Sequence, residues 1–139
     1  MSNDPEWAAR LNAVNANRLP GYVGMVVTHA ERGLMRARME AKPELIAPIG
    51  FLFAPAIITM ADTLCAYGTV PPDGAQGFTT AELKCNFMST VQEGGVLCEA
   101  RLIHGGRTTQ VWDATITAEA TGKLMALFRC TQIILWPKA

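Results

Sequence analysis

Apolar and polar side chains alternate with the two-residue period of β-strands along much of the chain. The clearest example is residues 34–41, in which Met35, Ala37 and Met39 alternate with charged residues. Segments that suit strands are bounded by turn residues and lie at residues 22–28, 34–41, 78–88, 95–103, 108–118 and 124–135. The pattern predicts six strands, most of them joined by hairpin turns.

Two other segments have the spacing of helices. Asp4 followed by Pro5 is a typical helix start, and apolar residues then recur every three or four positions. Pro55 precedes a long apolar run over residues 56–67, which a glycine closes. These patterns predict a short amphipathic N-terminal helix and a helix of about four turns that is buried nearly all round.

The order of elements is helix, two strands, long helix and four strands, with no internal repeat. A long helix wrapped by one antiparallel sheet is an α+β architecture. We expect residues 1–139 to form one domain, with residues 1–18 as an N-terminal helical extension. Half of the residues are apolar, which is enough for a core without disulfides or metal ions.

Composition argues against several classes of partner. The 12 basic and 12 acidic residues form no long run, so no strong field attracts nucleic acid or an anionic membrane. Residues 45–61 are uncharged, but they are shorter than the ~20 residues of a membrane span and contain two prolines. The N-terminus lacks the basic and apolar blocks of a secretory signal. We therefore expect a cytoplasmic protein that binds neither nucleic acid nor membranes.

The cysteines and histidines do not suggest a metal centre. The four cysteines, which form no C-x-x-C pair and lie in apolar stretches, are Cys65, Cys85, Cys98 and Cys130. This context predicts reduced core thiols. The two histidines are far apart, and the usual serine hydrolase, zinc and dinucleotide motifs are absent. We expect neither a metal ion nor a cofactor.

Asp62 is the charged residue of the long helix, and its neighbours are apolar. A buried carboxylate costs several kcal/mol unless it is solvated or paired, so Asp62 is a candidate general base or nucleophile with a raised pKa. At the helix start, Pro55 leaves the amides of Ala54 and Ala56 as candidate donors that could polarise a carbonyl oxygen. The alternative is that Asp62 bonds the backbone of a neighbouring strand or a buried water and does no chemistry.

The distance between these groups favours two chains. Asp62 follows Ala54 by eight residues, which is roughly 12 Å along a helix axis, so one chain cannot bring both to one carbonyl. If two helices lie antiparallel, the carboxylate of one approaches the start of the other, and a two-fold axis generates two sites. The geometry therefore predicts a homodimer.

Other candidates for chemistry are Cys65 and the segment His104-Gly105-Gly106-Arg107. Cys65 lies one turn from Asp62 and could be a nucleophile, although a buried cysteine is usually inert. The second segment predicts a tight turn whose glycines have positive φ, and Arg107 could contact a ligand phosphate.

Three stretches together resemble the hotdog-fold acyl-CoA thioesterases of the phenylacetate-pathway type (PaaI-like). They are APIGFLFAPAIITMADTLCAYG, GFTTAELKCNFMSTVQEGG and HGGRTTQVWDATIT, and the likeness extends over about residues 19–136. The resemblance implies that Asp62 activates water or attacks an acyl-CoA thioester whose carbonyl accepts a bond from the partner's helix start. It also implies a dimer of dimers, with CoA along the subunit boundary near Gly106 and Arg107.

The chain departs from this family where the long helix begins. The family has Asn and then His-Gly-Gly, whereas this chain has apolar residues, Phe53 and then Ala54-Pro55. The loss of an active-site donor can lower a rate by ~10²–10³. A weak enzyme and a non-catalytic acyl-CoA-binding or sensing dimer are therefore both alternatives. A hotdog dehydratase is disfavoured, because it would need a histidine placed against an acid near the long helix and residues 31–103 contain no histidine.

The leading hypothesis is hydrolysis of an apolar or aromatic acyl-CoA. The candidate residues of the acyl pocket, each of which could equally belong to the core, are Phe51, Phe53, Met60, Leu64 and Met88.

Overall fold

The computed structural model describes residues 2–139 and consists of one six-stranded antiparallel sheet with one long helix against it. The helices are α1 (Pro5–Val14), α2 (Leu19–Tyr22) and α3 (Ala54–Gly68), with a single 3-10 turn at Pro43–Leu45. The strands are β1 (Val26–Glu31), β2 (Leu34–Glu40), β3 (Gly77–Phe87), β4 (Gly95–Gly105), β5 (Thr109–Ala118) and β6 (Leu124–Leu135). Their order in the sheet is β1-β2-β4-β5-β6-β3.

The sheet curves around α3, which contacts all six strands. Strands lie about 4.8 Å apart and a helix is about 10 Å wide, so a flat sheet could not bring six strands to one helix. The α+β architecture predicted from the sequence is confirmed.

The main difference from the predicted elements concerns the first strand, which was expected over residues 22–28. Residues 19–22 form the short helix α2, and β1 begins only at Val26 and extends to Glu31. Pro20 favours the helix, because its fixed φ suits a first helical turn.

The core lies between the concave face of the sheet and one face of α3. Met35, Ala37 and Met39 of β2 are buried, as the alternation predicts, and so are the inward-facing side chains of β5. The buried residues of α3 are Ala56, Ile57, Met60, Ala61, Leu64, Cys65 and Gly68. The prediction that this helix is buried nearly all round is wrong for one chain, since the face that carries Thr59, Asp62 and Ala66 is only partly covered.

The two edges of the sheet differ. At the β1 edge the Asn12 side chain pairs with Val27 as a strand would, accepting its N–H at 2.8 Å and donating to its carbonyl at 3.0 Å. Ala30 is covered in the same way by Asn3 and the backbone of Asp4. Along β3, within residues 2–139, the outer edge has no partner strand, and most of its residues are exposed, on both faces of the sheet. Since an open edge is a template for pairing, β3 is the edge that a second chain can use.

No helix within residues 2–139 is long and apolar enough to cross a membrane.

The protection of β1 can be tested with Asn12→Ala. The change leaves the Val27 N–H and carbonyl without partners at a half-buried position, so we expect the free energy of unfolding to fall by about 1–3 kcal/mol. Urea denaturation would measure the loss, and Arg10→Ala on the exposed side of α1 is the control. If Asn12→Ala is no less stable than the control, the asparagine does not seal the edge.

Candidate active site

Asp62 lies on the partly covered face of α3 and has an unusual environment for a carboxylate. The side chain is half-buried, and its Oδ1 atom is shielded from solvent without a hydrogen-bond partner among residues 2–139. Burial raises the pKa of Asp62 because it removes water from the charged form. A buried carboxylate oxygen without a partner requires an explanation, and an active site offers one.

The start of α3 presents one free amide. Phe53 is the N-cap, and its side chain cannot accept a hydrogen bond from the first turn. Among residues 2–139 the Ala54 N–H has no acceptor, and Pro55 has no N–H to donate. The Ala56 N–H donates to the Phe53 carbonyl at 2.9 Å, which corrects the prediction that Ala56 is available. This bond joins residues three apart, as in a 3-10 turn, and it occupies the Ala56 amide. Of the two predicted donors, only the Ala54 N–H is therefore available.

An apolar cleft lies beside this amide. It has a volume of about 350 Å³, and its walls are formed by Ala47, Ile49, Phe51, Leu52, Phe53, Ala54, Ile57, Phe87, Ser89 and Thr90. Phe53 is 53% exposed and Ile49 is 80% exposed, although both are hydrophobic. The Ser89 hydroxyl donates to the Leu124 carbonyl at 2.6 Å, so Thr90 is the wall residue with a largely free hydroxyl. The cleft therefore suits a hydrocarbon group.

The backbone of residues 47–53, the lead-in segment, holds this cleft open. Ala47 donates to the Phe51 carbonyl at 2.7 Å, and Leu52 donates to the Val91 carbonyl at 2.9 Å. Gly50 has a φ of +92°, a conformation that favours glycine, and this bends the segment back towards Ala47. The exposed hydrophobic side chains are therefore displayed by a hydrogen-bonded turn.

The residues predicted for the acyl pocket divide into two groups. Phe51 and Phe53 line the cleft. Met60 and Leu64 are fully buried in the core, which is the alternative that the sequence analysis gave for each candidate. Met88 is exposed beyond the end of β3 and is not part of the cleft wall. Phe87 occupies the wall instead, and the alternation of Leu83, Cys85 and Phe87 with polar residues is the sequence signal that could have placed it there.

The turn between β4 and β5 differs in detail from its prediction. Neither Gly105 nor Gly106 has a positive φ, so the predicted reason for these glycines is wrong. Gly106 instead lies close to its neighbours, because a Cβ atom there would displace the exposed His104 side chain and would lie 3.1 Å from the Thr109 carbonyl oxygen. Arg107 follows and packs over Trp136.

Cys65 is unsuited to act as a nucleophile. It is fully buried, and contact with Cys130 together with burial raises the pKa of its thiol well above the ordinary value. The thiol is therefore protonated at neutral pH. Within residues 2–139 no three His, Cys, Asp or Glu side chains form a cluster that could hold a metal ion.

Comparison with known proteins points to one family. The family model of the thioesterase superfamily matches residues 49–125. The chain is 30% identical over 112 residues to the 1,4-dihydroxy-2-naphthoyl-CoA hydrolase of Listeria monocytogenes, covering 78% of this chain and 89% of that protein. A crystal structure of a mutant of thioesterase PA1618 from Pseudomonas aeruginosa matches with a TM-score of 0.84 and 27% identity, covering 92% of this chain and 93% of that one. The PaaI protein of E. coli shares the fold, with a TM-score of 0.78 at 18% identity over 94% of each chain.

The environment of Asp62 predicts that Asp62→Asn stabilises the protein at pH 7. A carboxyl group whose pKa is higher in the folded state than in the unfolded state binds its proton more tightly when the protein is folded. That proton stabilises the fold fully below the unfolded-state pKa of about 3.9, and the stabilisation is lost as pH rises through the folded-state pKa. At pH 7 the ionised Asp62 therefore lowers the free energy of unfolding, and asparagine removes that effect. Chemical denaturation at pH 7 and pH 5 should show an advantage of the variant that shrinks at the lower pH.

Asp73→Asn on an exposed loop is the control and should change stability little at either pH. A variant Asp62→Asn that is less stable than the unmodified protein at pH 7 would mean that the carboxylate has a stabilising partner.

Proposed function

Because the chain belongs to the thioesterase superfamily and is a thioester hydrolase, we propose that it hydrolyses apolar or aromatic acyl-CoA thioesters at a site shared by two copies of the chain. The observation that carries this proposal is the Asp62 carboxylate, half-buried on α3 with an unpartnered oxygen and a raised pKa. The chemistry needs a base that is not already bound to another side chain, and Asp62 meets that requirement.

The proposed homodimer is based on two surfaces that are uncovered in a single chain, the β3 edge and one face of α3. The β3 strand is eleven residues long, and its inward-facing side chains Leu83 and Phe87 extend beyond the cover of α3. Pairing of β3 with its two-fold copy would continue the sheet and place a second α3 over these side chains. The partly covered face of α3, which includes Thr59 and Ala66, would then lie against its antiparallel copy.

In such a dimer each site takes groups from both chains. Ala54 and Asp62 are separated by roughly 12 Å along one helix axis. In an antiparallel pair, Asp62 of one helix lies alongside the start of the other, next to the free Ala54 amide and the apolar cleft. The thioester carbonyl would accept the Ala54 N–H, with the acyl group against Phe51 and Phe53.

Asp62 has two possible roles in the reaction. As a general base it takes a proton from water, the hydroxide adds to the thioester carbon, and the carbon–sulfur bond breaks with transfer of the proton to the CoA sulfur. As a nucleophile it attacks the thioester carbon, the carbon–sulfur bond breaks and CoA leaves as the thiolate, which gives an acyl–carboxylate anhydride. Water then hydrolyses the anhydride to the free acid and the Asp62 carboxylate, and a proton released from that water converts the thiolate to CoA thiol. In both cases the Ala54 amide stabilises the negative charge that develops on the carbonyl oxygen. Both routes need the ionised carboxylate, so the rate should fall as pH decreases through the raised pKa of Asp62.

The substrate class is proposed from the cleft. Its wall carries two exposed phenylalanines beside Phe87, and no charged side chain lines it. The Listeria relative is named for an aromatic acyl-CoA, which agrees with an aromatic or aliphatic acyl group here. CoA itself is proposed to lie near Gly106 and Arg107.

A tetramer of two such dimers is also proposed, on the basis of the family resemblance. The outer face of the sheet provides a surface for it, with Leu97, Leu127 and Ile133 exposed among ion pairs. The free cysteines favour a reducing compartment such as the cytoplasm.

The shared site can be tested by removing one group from each chain. Ala54→Pro deletes the amide donor at a position where a helix tolerates proline, and Phe53 already has the extended backbone that precedes proline. We expect Ala54→Pro and Asp62→Asn each to lower kcat by ~10²–10³, measured as thiol release from acyl-CoA. Ala54→Ser, which keeps the amide, is the matched control and should stay active.

Mixing the two inactive variants after dissociation and reassembly gives the decisive result. Heterodimers contain one intact site, built from Asp62 of one chain and Ala54 of the other, so random mixing should restore roughly a quarter of the original activity. If mixing restores nothing although sedimentation shows that dimers have exchanged, the two groups do not act at one shared site.

A further inference from the structure

The open edge of β3 presents a defined set of backbone groups. The Met88 N–H donates to the Met125 carbonyl of β6 at 2.8 Å. Backbone groups of successive residues point to opposite sides of an antiparallel strand, so Leu83, Cys85 and Phe87 direct theirs to the open edge. Their side chains lie on the inward face of the sheet, because each of the three pairs with a buried residue of β6. A second strand that pairs here therefore bonds to these three residues.

The long helix runs antiparallel to β3. Its first residue, Ala54, lines the apolar cleft together with Phe87, which is the last residue of β3. Further along the helix, Cys65 contacts Cys130, the β6 residue that pairs with Leu83. The helix therefore passes from the level of Phe87 at its start to the level of Leu83 three turns later.

The proposed shared site fixes how far two copies of β3 slide along each other. Asp62 lies just before the point at which α3 reaches Leu83, so it is within about two strand residues of that level. If Asp62 of one chain lies alongside the start of the partner's α3, Leu83 lies opposite the partner's Phe87. Cys85 is midway between these two residues of β3, so it lies on the two-fold axis.

The neighbouring registers fit the side chains less well. Registers differ in steps of two residues, because opposite side chains must share a face of the sheet. One step in one direction places Lys84 opposite its own copy, and like charges directly opposite are destabilising. One step in the other direction places Leu83 opposite Ser89, beyond the end of β3. With Cys85 on the axis, Leu83 and Phe87, which are 41% and 45% exposed in one chain, cover each other.

We propose that β3 pairs with its copy about Cys85 and that the partner's Leu83 completes the acyl cleft beside Phe87. The inference rests on the proposed function and adds a specificity-determining residue to it. Leu83 acts on the cleft of the other chain, the one that supplies the Ala54 amide. Its side chain limits the size of the acyl group that the cleft accepts.

The size limit is tested with Leu83→Ala and two esters, phenylacetyl-CoA and the larger naphthylacetyl-CoA. The change removes a contact to the small acyl group and makes room for the large one. We expect the ratio of the two kcat/KM values to shift by about tenfold or more towards the naphthylacetyl ester. Leu127→Ala, on the outer face of the sheet, is the matched control and should leave the ratio unchanged. An unchanged ratio in Leu83→Ala would overturn the role of Leu83.

Complementation shows which chain supplies the leucine. Asp62→Asn and Ala54→Pro chains together form one working site, which takes Ala54 from the first chain and Asp62 from the second. Leu83→Ala added to the Ala54→Pro chain should change the acyl preference of that site, because this chain supplies both Asp62 and Leu83. Leu83→Ala added to the Asp62→Asn chain should leave the preference as in the unmodified protein. The reverse pattern would overturn the proposal.

The register is tested without a substrate. Residues opposite each other in a hydrogen-bonded antiparallel pair have Cα atoms about 5.5 Å apart, which suits a disulfide. Diamide takes one proton and one electron from each thiol and becomes the hydrazine, so it should convert the protein to a covalent dimer in non-reducing electrophoresis. Cys85→Ser should abolish this dimer. Cys98→Ala, which removes a core thiol, should retain it.

Introduced cysteines distinguish the registers. In Cys85→Ser chains, Leu83→Cys together with Phe87→Cys should restore the covalent dimer, because these positions lie opposite each other. A covalent dimer that forms only when Phe87→Cys is combined with native Cys85 would show a register shifted by two residues and overturn the proposal. Absence of every crosslink in a protein that sediments as a dimer would overturn it as well. Loss of turnover with an intact Cys85 crosslink would refute the proposed function and support the register.

Discussion

The packing of α3 against a sheet that covers only one of its faces is the constraint on which the rest of the structure depends. The sheet curves far enough for all six strands to contact the helix, and this buries Ile57, Met60 and Leu64 completely. The opposite face carries Asp62 and is left partly open. Because α3 is strongly apolar, covering that face would add stability, and the proposed dimer is one way to cover it.

The environment of Asp62 is unfavourable for stability, and the proposed catalytic role would explain it. Burial raises its pKa and gives it no compensating hydrogen bond at Oδ1, which is unfavourable for folding. The start of α3 is unusual in the same sense, because Phe53 cannot cap it and the Ala54 amide is left free. Departures of this kind from ideal local structure are expected at functional sites. Here the uncapped amide adjoins a cleft made of hydrophobic side chains, where charge stabilisation is stronger than in water.

The two edges of the sheet differ in how well their backbone is protected. The N-terminal segment pairs with the outward backbone groups of Val27 and Ala30 through Asn3, Asp4 and Asn12, so this part of the β1 edge is covered. The β3 edge has no such cover, although it is among the longest strands. A protein that protects one edge and leaves the other open directs its pairing to a single place, which favours a closed two-fold pair over open-ended aggregation.

The sequence by itself determined the number and order of the principal elements, because strand and helix periodicities are local properties of neighbouring residues. It also made Asp62 a candidate site residue, since a single charge in an apolar helix is visible without coordinates, and short motifs indicated the thioesterase family. Only the tertiary structure decided which face of α3 the sheet covers, and this separates Phe51 and Phe53 in the cleft from Met60 and Leu64 in the core. The tertiary structure also showed that the Ala56 N–H is bonded to the Phe53 carbonyl and that Gly106 lies close to the Thr109 carbonyl. It likewise showed the contact between Arg107 and Trp136. These features depend on how distant segments meet in space, and the periodicity of one segment carries no information about the segment that packs against it.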